Sequence, residues 1–321
     1  MREYTLLTFG SVYMDIYCLD FPFNDQITAG EELVGRHYAM APGGSAVITA
    51  MVAAGLGLKP TVVGKVGGDC AGEMVVSELK KKNISSELIV DHTVQTNLGI
   101  QFVNNHSTPI QTIVGTANAQ LRAEEIANKL EDLIPKTEYL FLSGYFKLKN
   151  LQPYYRHILE IAKKHQTKTV LDHGQVNRDV GEREIVGLKD ILPLIDIYLP
   201  NKREIMSICP SQTVDQACTQ IHEINSEILI VVKEDAGGAI AFQQKKANIV
   251  SQGYKVEILN NVGAGDSFNA GLIKAMTQNK TLDQALSYAN AVAAYKISTN
   301  QIPDINDIER FVADQANHKS Q

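Results

Sequence analysis

Short runs rich in β-branched and aromatic residues alternate with longer amphipathic segments through most of this chain, and that rhythm restricts the fold more than any other feature. Tyr4 to Phe9, Thr61 to Lys65, Tyr139 to Ser143, Thr169 to Leu171, Ile197 to Leu199 and Ile228 to Val232 read as strands. Between and after them, Ser45 to Ala54, Ala71 to Lys81, Leu151 to Lys164, Val214 to Ile224 and Leu282 to Ala294 read as helices, several with apolar residues three and four apart. Parallel strands joined by helical crossovers carry helices on both faces of their sheet. The expected fold class is therefore α/β, a three-layer α/β/α body around a mainly parallel sheet.

Two regions break the rhythm, Tyr13 to Tyr38 and Gln95 to Thr116. In the second, Gly99 to Val103 leads through the polar turn Asn104-Asn105-His106-Ser107 to Ile110 to Val114, the pattern of a β-hairpin. Together they predict a small β flap, or lid, contributed by roughly residues 12–40 and 95–116 and inserted into a single domain spanning 1–321. The apolar residues Ile100, Phe102, Ile110 and Ile113 on its arms need cover, either from the protein's own body or from a second copy in a homodimer. No internal repeat, low-complexity tract or Pro/Ser-rich linker divides the chain.

With 44% hydrophobic and 21% charged residues, the 321-residue chain can bury a large core, and general disorder is excluded. The net charge is −6 and no basic cluster exceeds Lys80-Lys81-Lys82, so nucleic acid is not an expected partner. No run approaches the roughly 20 apolar residues of a membrane helix, and the start lacks the apolar core and cleavage site of a signal peptide. The four cysteines, Cys18, Cys70, Cys209 and Cys218, form no C-x-x-C pair, which fits reduced thiols and a cytoplasmic location.

The chemistry concentrates in Asn261-Val262-Gly263-Ala264-Gly265-Asp266-Ser267-Phe268, where a helix begins near Ala264 with Phe268, Leu272 and Met276 on one face. Glycines ahead of a helix leave its first N–H groups bare and allow close approach, which builds a backbone anion site. Asp266 has two readings. It is either a helix-capping residue or a base that takes the proton of an attacking hydroxyl while the Gly263, Ala264 and Gly265 amides hold charge on a transferring phosphoryl group.

Gly263-Ala264-Gly265-Asp266, with Pro42-Gly43-Gly44 far upstream, resembles the paired signatures of the ribokinase-like (PfkB) carbohydrate and nucleoside kinases. Further matches extend the resemblance over nearly the whole chain. It implies a ribokinase-like fold with a lid, and an ATP- and Mg2+-dependent transfer of the γ-phosphate to a hydroxyl of a sugar or nucleoside. Asp266 is then the catalytic base, and Asp15, after Gly10-Ser11, hydrogen-bonds acceptor hydroxyls. Gly43 and Gly44 lie against the sugar, although a tight turn before a helix demands the same glycines. Gly64-Lys65-Val66-Gly67-Gly68-Asp69 with Gly72 matches a strand-to-helix turn with Asp69 as cap. The N-x-x-E pair Asn201 and Glu204 would organise magnesium waters and phosphate, the oxygen chemistry a hard cation prefers. Lys233 and Gly238 would line the nucleotide, and Asn290 would fall near the adenine. Lids of this family often pair between subunits, which implies a homodimer.

Four positions depart from the family pattern. Ile48 replaces a common sugar-contacting asparagine. Asn260-Asn261-Val262 replaces D-T-x, losing a carboxylate and a hydroxyl often tied to a monovalent cation, so potassium activation stays open. The D-x-N-x-R match ends at Asp172, because Asn177 and Arg178 come late, and Asp235 stands where a glycine is usual.

The segments expected to line the acceptor pocket, Gly10 to Asp15, Gly43 to Ile48 and Thr96 to Phe102, contain no lysine or arginine to hold a phosphate. That favours a neutral sugar or nucleoside, with Ile48, Phe102 and Met14 as an apolar wall and Arg36 or Lys65 within possible reach. A non-catalytic protein of the same fold, sensing a sugar or nucleotide, is the alternative. A dinucleotide-binding oxidoreductase is rejected, since Gly10 has no glycine partner to form G-x-G-x-x-G.

Overall fold

The computed structural model describes residues 2–19, 34–103, 110–177 and 180–319. Part of the expected flap (20–33), the hairpin tip at Asn104 to Ser107 and Arg178 lie outside the described residues. The strands are β1 (Tyr4–Phe9), β2 (Tyr13–Leu19), β3 (His37–Gly43), β4 (Pro60–Gly67), β5 (Ser85–Asp91), β6 (Asn97–Phe102), β7 (Ile110–Val114), β8 (Thr137–Ser143), β9 (Lys168–Asp172), β10 (Ile197–Tyr198), β11 (Leu229–Lys233), β12 (Ala239–Phe242) and β13 (Ile249–Ser251). The α-helices are α1 (Ser45–Gly55), α2 (Cys70–Lys81), α3 (Ala123–Leu133), α4 (Tyr155–Lys164), α5 (Glu182–Ile191), α6 (Lys202–Ile208), α7 (Val214–Ile224), α8 (Ala264–Thr277), α9 (Leu282–Thr299) and α10 (Ile305–Lys319).

Nine strands form the main sheet in the order β13-β12-β11-β10-β9-β8-β1-β4-β5. It is parallel from β11 to β5, with β12 and β13 added antiparallel at one edge. Successive side chains of a strand point to opposite faces, and here both faces are covered. Leu7 and Phe9 of β1 join Leu140, Leu142, Ile230 and Val232 in a core completed by helices α3 to α7. Leu6 joins Phe141, Val170 and Val231 in a second core closed by α1, α8, α9 and α10. Two buried faces explain why the strands read as continuous apolar runs.

The irregular regions build a second sheet of four strands in the order β3-β2-β6-β7, with β6 and β7 antiparallel as the hairpin pattern predicts. Two buried asparagines tie it to the body. The Asn118 side chain accepts from the Val12 amide and donates to the Val12 carbonyl, both at 3.1 Å, and the Asn97 side chain accepts from the Asn118 amide at 2.9 Å.

Two expectations are corrected here. Leu151 to Lys164 is not one α-helix: Lys149–Tyr154 is a 3-10 turn and α4 begins at Tyr155, because Pro153 brings no N–H and crowds the preceding carbonyl. Ile113 pairs with Gly99 whereas Ile110 pairs with Phe102, so Ile113 projects from the other face of the small sheet than Ile100 and Phe102. Asp69 caps α2 as expected, accepting from the Gly72 amide at 2.9 Å. The four cysteines are free, with Cys209 and Cys218 buried. Among the described residues no helix is long and apolar enough to cross a membrane.

Candidate active site

In an open parallel sheet, ligands bind outside the carboxyl ends of the strands, where the connections diverge. Here β1 pairs with β4 on one side and β8 on the other. Gly10 follows β1, Asp172 ends β9, Asn201 follows β10 and Lys233 ends β11, so the parallel sheet delivers these residues to one edge.

At that edge Gly263 caps α8 in a left-handed conformation (φ 78°) which a side chain would strain, and Ser267 N–H reaches back to the Gly263 carbonyl at 2.9 Å. Asp266 sits in the first turn of the helix and accepts a short hydrogen bond from the Ser45 hydroxyl at the start of α1. Withdrawal from water, then the charge of Asp172, pushes the Asp266 carboxyl up to about 6. It is thus mostly ionised at neutral pH yet close to its transition, the balance a general base needs.

Asp172 is 6% exposed and accepts from Lys233 Nζ at 2.7 Å and from Asn269 Nδ2 at 2.6 Å. Burial alone would raise its pKa, but the Lys233 charge and these hydrogen bonds outweigh it and hold the carboxylate below its usual range. Burial likewise opposes the Lys233 ammonium, yet Asp172, Glu204 and Asp266 keep it raised and charged. This ammonium lies 3.5 Å from where a Gly265 side chain would begin, so a fixed positive charge flanks the helix start.

Asn201 and Glu204 form a reciprocal capping box on α6: Asn201 Oδ1 accepts from the Glu204 amide at 2.9 Å and Glu204 Oε2 from the Asn201 amide at 2.8 Å. The cap therefore engages one Glu204 oxygen, and both residues line the cleft. Burial, followed by the Asp172 charge, raises the Glu204 carboxyl to about 7. A buried carboxylate held up in this way gains from a hard cation nearby, so the donor set fits magnesium held through water and phosphate.

The cleft encloses about 330 Å³ and runs from Ser45 and Asp266 past Lys233 to Gly238, Asn290 and Ala293. Asp235 takes the left-handed conformation (φ 49°), which accounts for a glycine being usual there. A side chain at Gly238 would collide with the Ser251 carbonyl. The Asn290 amide donates to the Ser251 carbonyl and hydroxyl, both at 3.1 Å, and thereby holds the wall of the cleft.

Asp15 stands on β2 of the small sheet, 2% exposed and within electrostatic reach of Asp266. The neighbouring strands carry Gly43 and Gly99 beside it, and a methyl group on either would collide with its carboxylate. Tyr17 O–H donates to Asp15 Oδ2 at 3.4 Å, while Oδ1 is buried without a partner among the described residues. Burial raises this carboxyl to about 7 and the charge of Asp266 adds to the effect, so the two carboxylates share one electrostatic environment.

The apolar wall is corrected. Phe102 pairs with Cys18 and Met14 with Leu98, which places both on the face of the small sheet opposite Asp15. Met14 is buried among Val12, Val47 and Met51, and Ile48 packs 3.2 Å from the Cβ position of Gly263. Lys65 is committed to Asp91 and Glu125, each at 2.7 Å. The basic group on the Asp15 face of the small sheet is Lys147, which follows β8 and stands 5.1 Å from the centre of the Tyr13 ring. Its charge lowers the pKa of both Asp15 and Asp266, and it forms no ion pair among the described residues. Ser45 and Asn269 directly follow the two glycine motifs, but their hydrogen bonds to Asp266 and Asp172 join segments far apart in sequence; Lys147 stands in no recognisable local motif, so only tertiary structure reveals it.

A nine-stranded, largely parallel sheet with helices on both faces, a small second sheet over the strand ends and a glycine-led helix start at the cleft define the ribokinase-like class. A ribokinase of Arabidopsis thaliana solved with ribose and ATP superimposes with a TM-score of 0.80 at 20% identity, covering 97% of this chain and 99% of that one. An E. coli ribokinase II candidate solved with ATP and Mg2+ gives 0.79 at 20% identity, covering 97% and 99%. In sequence, the chain is 26% identical to the ribokinase of Haemophilus influenzae over 308 residues, 93% of each chain. It is 24% identical to the 5-dehydro-2-deoxygluconokinase of Bacillus subtilis over 333 residues, 98% of each. Residues 5–303 match the pfkB family carbohydrate kinases, and the chain belongs to that family.

Proposed function

We propose that this protein transfers the γ-phosphate of ATP to a hydroxyl group of a sugar-class acceptor lying between Asp15 and Asp266. The observation that supports this reading is the pair of buried, electrostatically coupled carboxylates Asp15 and Asp266, one with a buried oxygen that has no partner among the described residues and the other in the first turn of the glycine-led helix that lines the cleft. Asp15 accepts hydrogen bonds from the acceptor and fixes its orientation. Asp266 takes the proton of the attacking hydroxyl as the new O–P bond forms and the bond to the ADP oxygen breaks. The amides of Gly263, Ala264 and Gly265, with Lys233 beside them, stabilise the charge on the transferring group. Gly238 and Asn290 shape the nucleotide's end of the cleft. Magnesium, when bound with ATP, screens the phosphate charge, and Asn201 with Glu204 would hold its waters.

Lys147 favours a second, narrower reading, in which the acceptor carries a carboxylate. A half-buried ammonium without an ion pair suits a sugar acid better than the wholly neutral sugar or nucleoside expected from the lining segments, and a relative is named for such a substrate. The exposed outer face of the small sheet, with Tyr38 75% and Met40 40% accessible beside Ile100 and Phe102, is the proposed pairing surface of a homodimer.

The deciding experiment is acceptor-dependent ADP release by wild type and Asp266→Asn, with magnesium, across sugars, sugar acids and nucleosides. Wild type turns over with at least one class, and the variant loses roughly 10²- to 10⁴-fold in kcat. Ligand binding without turnover for every acceptor would replace the kinase with the non-catalytic sensor.

A further inference from the structure

Lys296, in the last turn of α9, is only 8% exposed, yet no carboxylate lies within ion-pairing distance of it among the described residues. An ammonium group in such a place is costly unless something negative visits it, and burial lowers its pKa. Its contacts lead in one direction. Nζ donates to Asn300 Oδ1 at 2.9 Å, and the same oxygen accepts from Asn260 Nδ2 at 3.3 Å. Asn260 Oδ1 in turn accepts from the Val262 amide at 3.0 Å, and the Leu259 and Asn260 amides donate to the Ile297 carbonyl at 2.9 and 3.2 Å. Lys296 Cε lies 3.9 Å from the Cβ position of Gly263, the residue that starts the anion-binding helix. The buried charge therefore sits directly behind the loop that frames the phosphates.

A bound monovalent cation does not fit this loop. The amide of Asn260 stands where the resemblance implies a carboxylate, its oxygen is already used, its nitrogen is a donor, and the neighbouring ammonium would repel a second positive charge. We infer that Lys296 is a positioning residue that serves as a built-in cation behind the 259–263 loop, with the nucleotide phosphates as its counter-charge, so that the protein works without a bound potassium ion. This rests on the proposed kinase reading only for the kinetic half of its test, because nucleotide affinity reports on it independently.

The test compares wild type, Lys296→Ala and Lys296→Met in sodium, potassium, ammonium and tetramethylammonium chloride at equal ionic strength. ADP release and binding of a non-hydrolysable ATP analogue with magnesium are both measured, and thermal unfolding confirms that the variants are folded. The expected wild-type response is the same, within about twofold, in all four salts. Lys296→Ala loses about tenfold or more in analogue affinity and in turnover; ammonium restores part of both losses, whereas tetramethylammonium does not. Lys296→Met keeps the packing and shows the same loss, which separates charge from volume. Wild-type activation several-fold by potassium, or variants that bind the analogue normally, would overturn the inference. If no acceptor supports turnover, the salt-dependent analogue affinities alone decide it, and the kinase reading falls separately.

Discussion

Asp15 shows how little space the small sheet leaves: its carboxylate fits between Gly43 and Gly99 only because neither has a side chain. Gly99→Ala places a methyl group against Asp15 Oδ1 on a strand whose backbone any residue can adopt. The expected outcome is a rise of about tenfold or more in KM for the acceptor, with a smaller change in kcat and an unchanged KM for ATP, measured by steady-state kinetics. Single residues were unevenly legible in the sequence. Gly263 to Asp266, Gly43 and Gly44 announce themselves because a helix start that binds an anion needs small residues at fixed spacing. Lys147 and Lys296 carry no such signal, since a lone lysine near the end of an element is the commonest pattern of a solvated charge. Phe102 was misassigned for a different reason: in a strand the face is decided by register, and one step of pairing moves a side chain from one side of the sheet to the other.

Among the elements, α6 has the most divided duties under the proposed reading, because its capping box also lines the cleft. The two duties separate by substitution. Asn201→Ala removes the cap and costs about 1 kcal/mol in chemical denaturation. Glu204→Gln keeps an oxygen for the Asn201 amide, so stability holds at neutral pH while the magnesium concentration needed for half-maximal turnover rises severalfold. An unchanged magnesium response in Glu204→Gln would confine the pair to capping. At this scale the central strands were readable because burial on both faces makes them uniformly apolar. The antiparallel strands β12 and β13 at one end of the sheet, of four and three residues, are too short to display a period, and the turn ahead of α4 hid within apolar spacing that continues across Pro153.

For the whole molecule, the concentration of buried acids at one edge has a thermodynamic signature. Asp15 and Glu204 titrate near 7 and Asp266 near 6, all above the ordinary carboxylate range, so between about pH 4.5 and 7 the folded protein binds more protons than the unfolded chain. Each group with a raised pKa contributes stability that is fully present below its unfolded pKa and is lost as pH rises through its folded value. Calorimetry should therefore give a Tm a few degrees higher at pH 5.5 than at pH 8, and Asp15→Asn should narrow that gap. The buried His173, whose pKa burial lowers to about 4, opposes this trend below about pH 6.5, so a higher Tm at pH 8 would mean that it outweighs the acids or that the cleft solvates them. Below pH 4 the trend reverses, because Asp69, Asp172 and Asp196 have lowered pKa values. The overall architecture was legible from strand-helix alternation, whereas the meeting of three acids at one edge depends on strand order, which no local pattern reveals.

Asp15 stands on the small sheet and Asp266 on α8, which packs against the main sheet; the two sheets share no hydrogen-bonded strand, and the buried Asn97 and Asn118 hold the base of the small sheet to the Val12 backbone that leads out of β1. Under the proposed reading the two carboxylates work like a caliper, one on each jaw. A molecule is measured as it is held, and one that spans the gap incorrectly presents no hydroxyl to the base even when it binds. Fidelity in such a device is set by the stiffness of the joint as much as by the chemistry of the jaws.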